Sequence, residues 1–184
     1  MKRFVGVSLS LLLVLTLGVL GLAGSHGDHG HSHSHDVVYA VAEIIPFEEG
    51  GPTGTAFFVE ANGVVYVTVR AHGLSNPLQG VHIHEFGDLS TPAASGGHFD
   101  PTEGSHGHPH EHGSHAGDLL NIEVDENGVG TLVMVKDDIT LPPGPLSIAG
   151  RAIVIHAEED LFTPENIGGA RVAGGIIELV SMAY

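Results

Sequence analysis

Residues 82–84 read His-Ile-His. On a strand, residues two apart project from the same face. His82 and His84 would therefore stand side by side while Val81 and Ile83 turn to the core. Imidazole is the commonest biological metal ligand, and two on one rigid strand make half a site. Taken alone, the pair reads equally well as two polar residues on the wet face of a strand. Residues further along the chain decide between these. His98 stands in Gly-Gly-His-Phe-Asp-Pro, His106 in Gly-Ser-His-Gly, His115 and Asp118 in His-Ala-Gly-Asp-Leu, and His156 closes Ile-Val-Ile-His. Six imidazoles and one carboxylate are a donor set for transition metals.

The elements that carry these donors read as β-structure. Val37–Ile45 is a strand stopped by Pro46, and residues 55–60 form a second. Asn62-Gly63 is a hairpin signal leading into a third strand over 64–70. Residues 80–86 make a fourth, with His82 and His84 on it. A fifth over 119–124 turns at Asn127-Gly128 into a sixth over 129–135. Residues 151–156 and 175–180 are the seventh and eighth. No window supports a long amphipathic helix. Eight short strands with turn signals predict an all-β Greek-key barrel or sandwich, immunoglobulin-like in architecture. Two connections are long, 87–118 and 157–174. Long loops in compact domains are usually functional or disordered, and the first carries most of the candidate ligands.

The chain ends and the composition bound the setting. Met1-Lys2-Arg3 followed by an apolar run to Leu22 and the small residues Ala23-Gly24-Ser25 has the plan of a secretory signal peptide, cut near residue 23. Retention as a membrane anchor is the other reading of that run. Residues 24–36 are a His/Gly/Ser tract with nothing to bury, expected to be a disordered arm with some affinity for transition metals. The β-domain would then run from 37 to 184. There is no cysteine, although export permits disulfides. Loss of Lys2 and Arg3 leaves four cations (Arg70, Lys136, Arg151 and Arg171) against 22 carboxylates, a formal −18. Phosphate-mediated binding of nucleic acid is excluded on that balance. The product is expected to be exported, periplasmic or extracellular, with no stable membrane association once the leader is gone. Formation of a homodimer is left open by the sequence.

Taken in order, the pieces at 82–84, 96–101, 115–119, 150–156 and 168–175 (the last Gly-Gly-Ala-Arg-Val-Ala-Gly-Gly) resemble copper/zinc superoxide dismutase, in an exported, bacterial-type and cysteine-free form. The resemblance covers about residues 37–180. It implies that His82, His84, His98 and His156 bind copper, that His98, His106, His115 and Asp118 bind zinc, and that the His98 imidazole bridges the two. It implies that Asp160 hydrogen-bonds one ligand of each metal, with neighbouring Glu159 as the rival. It makes Arg171 the anion-attracting residue beside copper, although a loop-closing donor role fits Arg171 as well. The activity implied is conversion of superoxide to oxygen and hydrogen peroxide, with His98 taking up a proton during the cycle. A non-catalytic copper/zinc buffering or delivery protein on the same fold is the alternative. His108, His110 and His112 are surplus to the implied ligand set, and His72 reads as structural. One departure stands out. The family ties its first long loop to the last strand by a disulfide; here those regions carry Ala93-Ala94-Ser95 and Ala173-Gly174.

Overall fold

The computed structural model describes residues 37–181. The expected leader at 1–23 and His-rich arm at 24–36 lie outside the described residues. Among the described residues there are ten strands and no helix: β1 Val38–Pro46, β2 Thr53–Ala61, β3 Val64–His72, β4 Leu78–Gln79, β5 Val81–His84, β6 Ile122–Val124, β7 Val129–Lys136, β8 Ala152–His156, β9 Arg171–Ile176 and β10 Glu178–Leu179.

Strand alternation builds the core. In β3, Val65, Val67, Val69 and Ala71 are buried while Tyr66 and Arg70 face out. Ala40, Ala42 and Ile44 of β1 and Leu132 and Met134 of β7 point to the same interior, around Phe58. The period of two on a half-buried sheet fixes which face is apolar. Asn62-Gly63 turns β2 into β3 with both residues at positive φ, 53° and 80°, as the tight hairpin turn requires.

All ladders are antiparallel, and the strand order is β4-β6-β7-β3-β2-β1-β9-β8-β5, with β10 added on β1. The two ends of this path, β4 and β5, are consecutive in the chain and meet at Gly80. The sheet therefore curls into a nearly closed barrel, as the strand pattern leads one to expect. Two of the eight expected strands are divided. Expected strand 80–86 splits at Gly80, because Leu78-Gln79 pairs with β6 while Val81–His84 pairs with β8. Expected strand 175–180 begins earlier, at Arg171, and splits at Ile177, because β9 pairs with β8 and β10 with β1. In both places the chain changes ladder partner, so one strand becomes two.

The long loop after β5 is held to the barrel through Ile83, the middle residue of His-Ile-His. Ile83 N–H donates to the Gly117 carbonyl (2.8 Å), Phe99 N–H donates to the Ile83 carbonyl (2.8 Å), and Gly117 N–H donates to the Phe99 carbonyl (2.7 Å). Three segments that carry His82, His84, His98, His115 and Asp118 are thus laced at one point. In place of a disulfide, Arg171 at the start of β9 reaches the loop. Its Nη1 donates to the Pro92 carbonyl (2.7 Å) and Ser95 Oγ (3.2 Å), and its Nη2 donates to the Gly96 carbonyl (2.6 Å). Leu89 seats against Gly174, where an added Cβ would lie 3.0 Å from Leu89 Cδ2.

The lacing point has no spare room. A Cβ on Gly117 would stand 2.2 Å from the Ile83 carbonyl oxygen and 2.7 Å from Phe99 N. Both are backbone atoms of the hub and cannot rotate away. Gly117→Ala is expected to cost at least about 1–3 kcal/mol, the usual penalty of forced overpacking. Urea unfolding of the two proteins measures it, and an unchanged midpoint would contradict this account of the hub.

Candidate metal centre

β5 delivers His82 and His84, both fully buried, on its inner edge. β8 delivers His156 at its end, where a register shift between Ile155 and His156 turns the side chain. The laced loop delivers His98, His106, His115 and Asp118. Isolated bridges between His84 and His98 and between His82 and Asp118 bring loop and strand together.

His98 sits at the centre of this group. Its ring centroid lies 3.9 Å from that of His82, 5.1 Å from His84 and from His106, 5.7 Å from His115 and 6.0 Å from His156. The structure thus brings together all seven residues that the sequence singles out. Donor atoms of His82, His84, His98 and His156 all lie within 4.8 Å of one another.

Hydrogen bonds fix which nitrogen each ring presents. His84 Nδ1 lies 3.1 Å from the Gly96 carbonyl and His156 Nδ1 lies 2.9 Å from the Gly169 carbonyl. A carbonyl only accepts, so both Nδ1 atoms carry the proton and both Nε2 atoms keep a lone pair. Those two Nε2 atoms stand 3.3 Å apart. His82 gives its Nε2 proton to Asp160 Oδ2 (2.7 Å) and keeps Nδ1 free. Two buried nitrogens, His82 Nδ1 and His98 Nε2, have no hydrogen-bond partner among the described residues. Buried lone pairs without partners are costly. Here they converge with the Nε2 atoms of His84 and His156, and a metal ion would satisfy all four.

On the other side of the His98 ring, Asp118 Oδ1 gathers three Nδ1 atoms: His98 at 2.8 Å, His106 at 3.0 Å and His115 at 3.4 Å. Tetrahedral zinc with bonds of about 2.0–2.1 Å separates its ligand atoms by about 3.3 Å, and the three distances to Asp118 Oδ1 are close to that spacing. His115 Nδ1 also lacks a hydrogen-bond partner among the described residues. His82, His98, His106 and Asp118 satisfy a distance test as well. His82, however, commits Nε2 to Asp160, and its Nδ1 belongs with His84 and His156, so His115 is the better fourth donor. Asp118 Oδ2 accepts the backbone N–H groups of Gly107 (3.1 Å) and His115 (3.0 Å), which hold the carboxylate in register.

Asp160 is buried and spans the two sides: Oδ2 meets His82 Nε2, and Oδ1 meets His106 Nε2 at 2.9 Å. Its rival Glu159 is exposed. Residues that sequence reasoning missed hold these groups in place. Asn121 and Asp160 exchange two hydrogen bonds, 2.8 and 2.9 Å, between side-chain amide and backbone. Lys136, only 2% exposed, donates from Nζ to the Asp118 carbonyl at 3.3 Å and pairs with Asp138 at 3.0 Å. Glu85 accepts Gly97 N–H at 2.9 Å, one residue before His98. Gln79 donates to the His156 carbonyl at 2.5 Å. Among these, only Lys136 leaves a sequence signal: a cation at an inward position of an alternating strand.

Arg171 stands at the rim. It shares the Gly96 carbonyl with His84 Nδ1 and lines a cleft of about 380 Å³ with His98, His106 and His115. Three of its five N–H groups hold the loop, so the loop-closing role is present. Two remain for an anion.

Titration follows burial and charge. Burial pushes His82 down to about 3 against its bond to Asp160, His84 to about 2 and His156 to about 4. Burial opposes ionisation of Asp118 and Asp160 too, but their histidine hydrogen bonds prevail and hold both carboxyls well below the usual range. His106 lies between these two carboxylates. Burial would lower it, but their hydrogen bonds and charges raise it to about 9.

These shifts make the stability of the metal-free chain depend on pH from both sides. His106 contributes stability that is fully present below its unfolded value near 6.5 and lost as pH rises through about 9. His82, His84 and His156 are neutral when folded and take up protons when unfolded, so stability falls as pH drops below about 6.5. The melting temperature of the metal-free chain should peak between about pH 6.5 and 9. Calorimetry across pH 4–10 checks this; a midpoint rising steadily toward pH 4 would contradict it.

A family model described as copper/zinc superoxide dismutase matches residues 52–177. The chain is 42% identical over 140 residues to Superoxide dismutase [Cu-Zn] 2 of Brassica juncea, covering 70% of this chain and 91% of that protein. It is 40% identical over 136 residues to Superoxide dismutase [Cu-Zn] 3 of Arabidopsis thaliana, covering 69% and 82%. In three dimensions it is similar to the crystal structure of the clock protein EA4, with a TM-score of 0.71 and 35% identity over 84% of this chain and all of that one.

Proposed function

The chain belongs to the copper/zinc superoxide dismutase family, and from that premise we propose how its own side chains perform the dismutation of superoxide to oxygen and hydrogen peroxide. His82, His84, His98 and His156 hold copper. His98, His106, His115 and Asp118 hold zinc, so the two sites share one imidazole. The observation that carries this assignment is the placement of His98. Its Nδ1 faces the Asp118 group while its partnerless Nε2 lies with His82, His84 and His156.

Bound by these residues, copper would supply a one-electron redox couple for superoxide, and zinc would supply structural positive charge. The protein's own part is to orient, attract and protonate. Asp160 fixes the His82 and His106 rings through their Nε2 protons, as carboxylates behind metal-binding histidines commonly do. His98 Nε2, whenever its lone pair is not holding copper, would carry one of the two protons that the leaving peroxide needs, the other coming from water, because its Nδ1 side stays engaged toward Asp118. Arg171 offers its two spare N–H groups to the anion. In a protein this acidic, a local cation is what offsets the long-range repulsion of superoxide.

Export belongs to the same proposal. Residues 1–23 act as a cleaved signal peptide, 24–36 form a His-rich arm, and the β-domain works in the periplasm or outside the cell. The plan of the N-terminal segment supports this. The buffering or delivery alternative leaves only the two spare N–H groups of Arg171 without a purpose, since the other three close the loop in either reading, and it is not favoured by the family.

One preparation assayed for metal content and superoxide dismutation tests the assignment. Copper and zinc should each approach one per chain. His82→Ala should lose copper and nearly all activity while zinc persists. Arg171→Ala should keep both metals and lose about tenfold or more in kcat/KM. Bound copper in an inactive wild-type protein would overturn the catalytic reading.

A further inference from the structure

One cation of the β-domain is shut inside the barrel. Lys136 ends β7 at an inward position and is 2% exposed, whereas Arg70 faces solvent and Arg151 and Arg171 are half-buried. Gly130, Leu132 and Met134 occupy the other inward positions of the strand, so an apolar side chain would continue the pattern. Taking an ammonium out of water is expensive unless it is paired and hydrogen-bonded. The partners of Lys136 therefore mark where it acts. Its Nζ donates to the Asp118 carbonyl at 3.3 Å and pairs with Asp138 Oδ2 at 3.0 Å. Asp138 lies two residues on, with a side chain 42% exposed, and balances the charge.

Asp118 is the residue on which the zinc position turns, because its Oδ1 faces the Nδ1 atoms of His98, His106 and His115. Most of what holds it belongs to its own loop. Its N–H donates to the His115 carbonyl at 3.0 Å, and its Oδ2 accepts from the N–H groups of Gly107 and His115. Two contacts come from the barrel: the bridge to His82 on β5 and the hydrogen bond from Lys136 on β7. β7 supplies none of the proposed ligands, yet its last residue fixes the peptide plane beside the Asp118 side chain. Among the described residues Lys136 hydrogen-bonds none of His82, His84 and His156, so its influence falls on the zinc side.

We propose that Lys136 is a positioning residue for zinc: acting from β7 through the Asp118 main chain, it sets how tightly the chain retains zinc and leaves copper binding alone. The inference rests on the zinc assignment made above. Loss of the ammonium leaves the Asp118 carbonyl as a buried acceptor without its donor. The peptide is then free to turn, and the carboxylate no longer meets all three rings. Groups that orient a metal ligand from behind commonly change affinity by about 10–100-fold. Repulsion between the ammonium and zinc would act in the opposite direction, but Asp138 offsets that charge at 3.0 Å. Arginine at this position keeps both the charge and a donor, whereas methionine keeps the bulk and has neither.

The test uses the full chain with His26, His29, His31, His33 and His35 changed to Gln, which silences the N-terminal tract as a competing chelator. This parent is loaded with copper, and its zinc affinity is measured by competition with a chelator of known strength. Lys136→Met should bind zinc about tenfold or more weakly than the parent, Lys136→Arg should recover most of that loss, and copper content should be equal in all three. Cobalt(II) placed at the zinc position reports the aim of the carboxylate: its visible spectrum should change in Lys136→Met and return in Lys136→Arg. Should the methionine variant not fold, Lys136→Gln, uncharged and shorter in reach, carries the same comparison and the same expected loss. Zinc binding in these variants as tight as in the parent, or tighter, would overturn the proposal, as would an equal loss of copper. A parent that takes up no zinc would overturn the assigned centre itself, so the two failures are distinguishable.

Discussion

Burial of two carboxylates beside four imidazoles is the constraint on which the rest of this structure depends. Asp118 and Asp160 are both inaccessible to water, and a buried charge is tolerated only when paired and hydrogen-bonded. Each is: Asp118 by histidine rings and two backbone N–H groups, Asp160 by His82, His106 and the Phe162 N–H. In the metal-free chain the compensating positive charge is the His106 imidazolium, held between both carboxylates. Metal ions at the proposed positions would bring more positive charge to the same place. Their binding energy would then be folding energy as well, which matters in a chain with no cysteine to cross-link it.

Barrel and centre constrain each other through backbone rather than through side chains alone. Ile83 lies between two proposed copper ligands, and its N–H and carbonyl bind the loop that carries the remaining ligands of both metals except His156. Gly80, where the sheet changes partner, sits so close to the centre that a Cβ there would approach Asp160 and the His82 ring at 3.1 and 3.3 Å. The corner that closes the barrel is therefore also a wall of the site. Arg171 couples the last long strand to the same loop, and it meets His84 at a shared carbonyl. Arg151 adds a second clamp: its guanidinium stacks 3.7 Å over Phe99 and donates to the carbonyls of Ser147 (2.9 Å) and Glu85. Two of the four cations of the β-domain thus hold the segments next to His84 and His98.

The strands were legible because inward and outward residues alternate with period two, and the hairpins because Asn-Gly pairs favour the tight turn. The breaks at Gly80 and Ile177 were not legible. Each is set by which distant strand pairs on either side, and nothing local marks it. The seven donor residues were legible from type and order, whereas Asp160 was legible only through what the family resemblance implies, with Glu159 as its rival. Asn121, Glu85 and Gln79 escaped notice because each acts on the backbone or carboxylate of a residue far away in the chain. Lys136 hid in plain view: the strand alternation places it inward, where a cation needs a partner, and the Asp118 carbonyl and Asp138 supply it.

Anomalous diffraction from crystals of the metal-loaded protein, collected at the copper and zinc absorption edges, tests the central claim most directly. Two peaks of different element are expected on opposite sides of the His98 ring, copper facing Nε2 with His82, His84 and His156, and zinc facing Nδ1 with His106, His115 and Asp118. A single peak, or two peaks of which His98 touches only one, would contradict the shared-ring assignment and the proton-carrying role drawn from it.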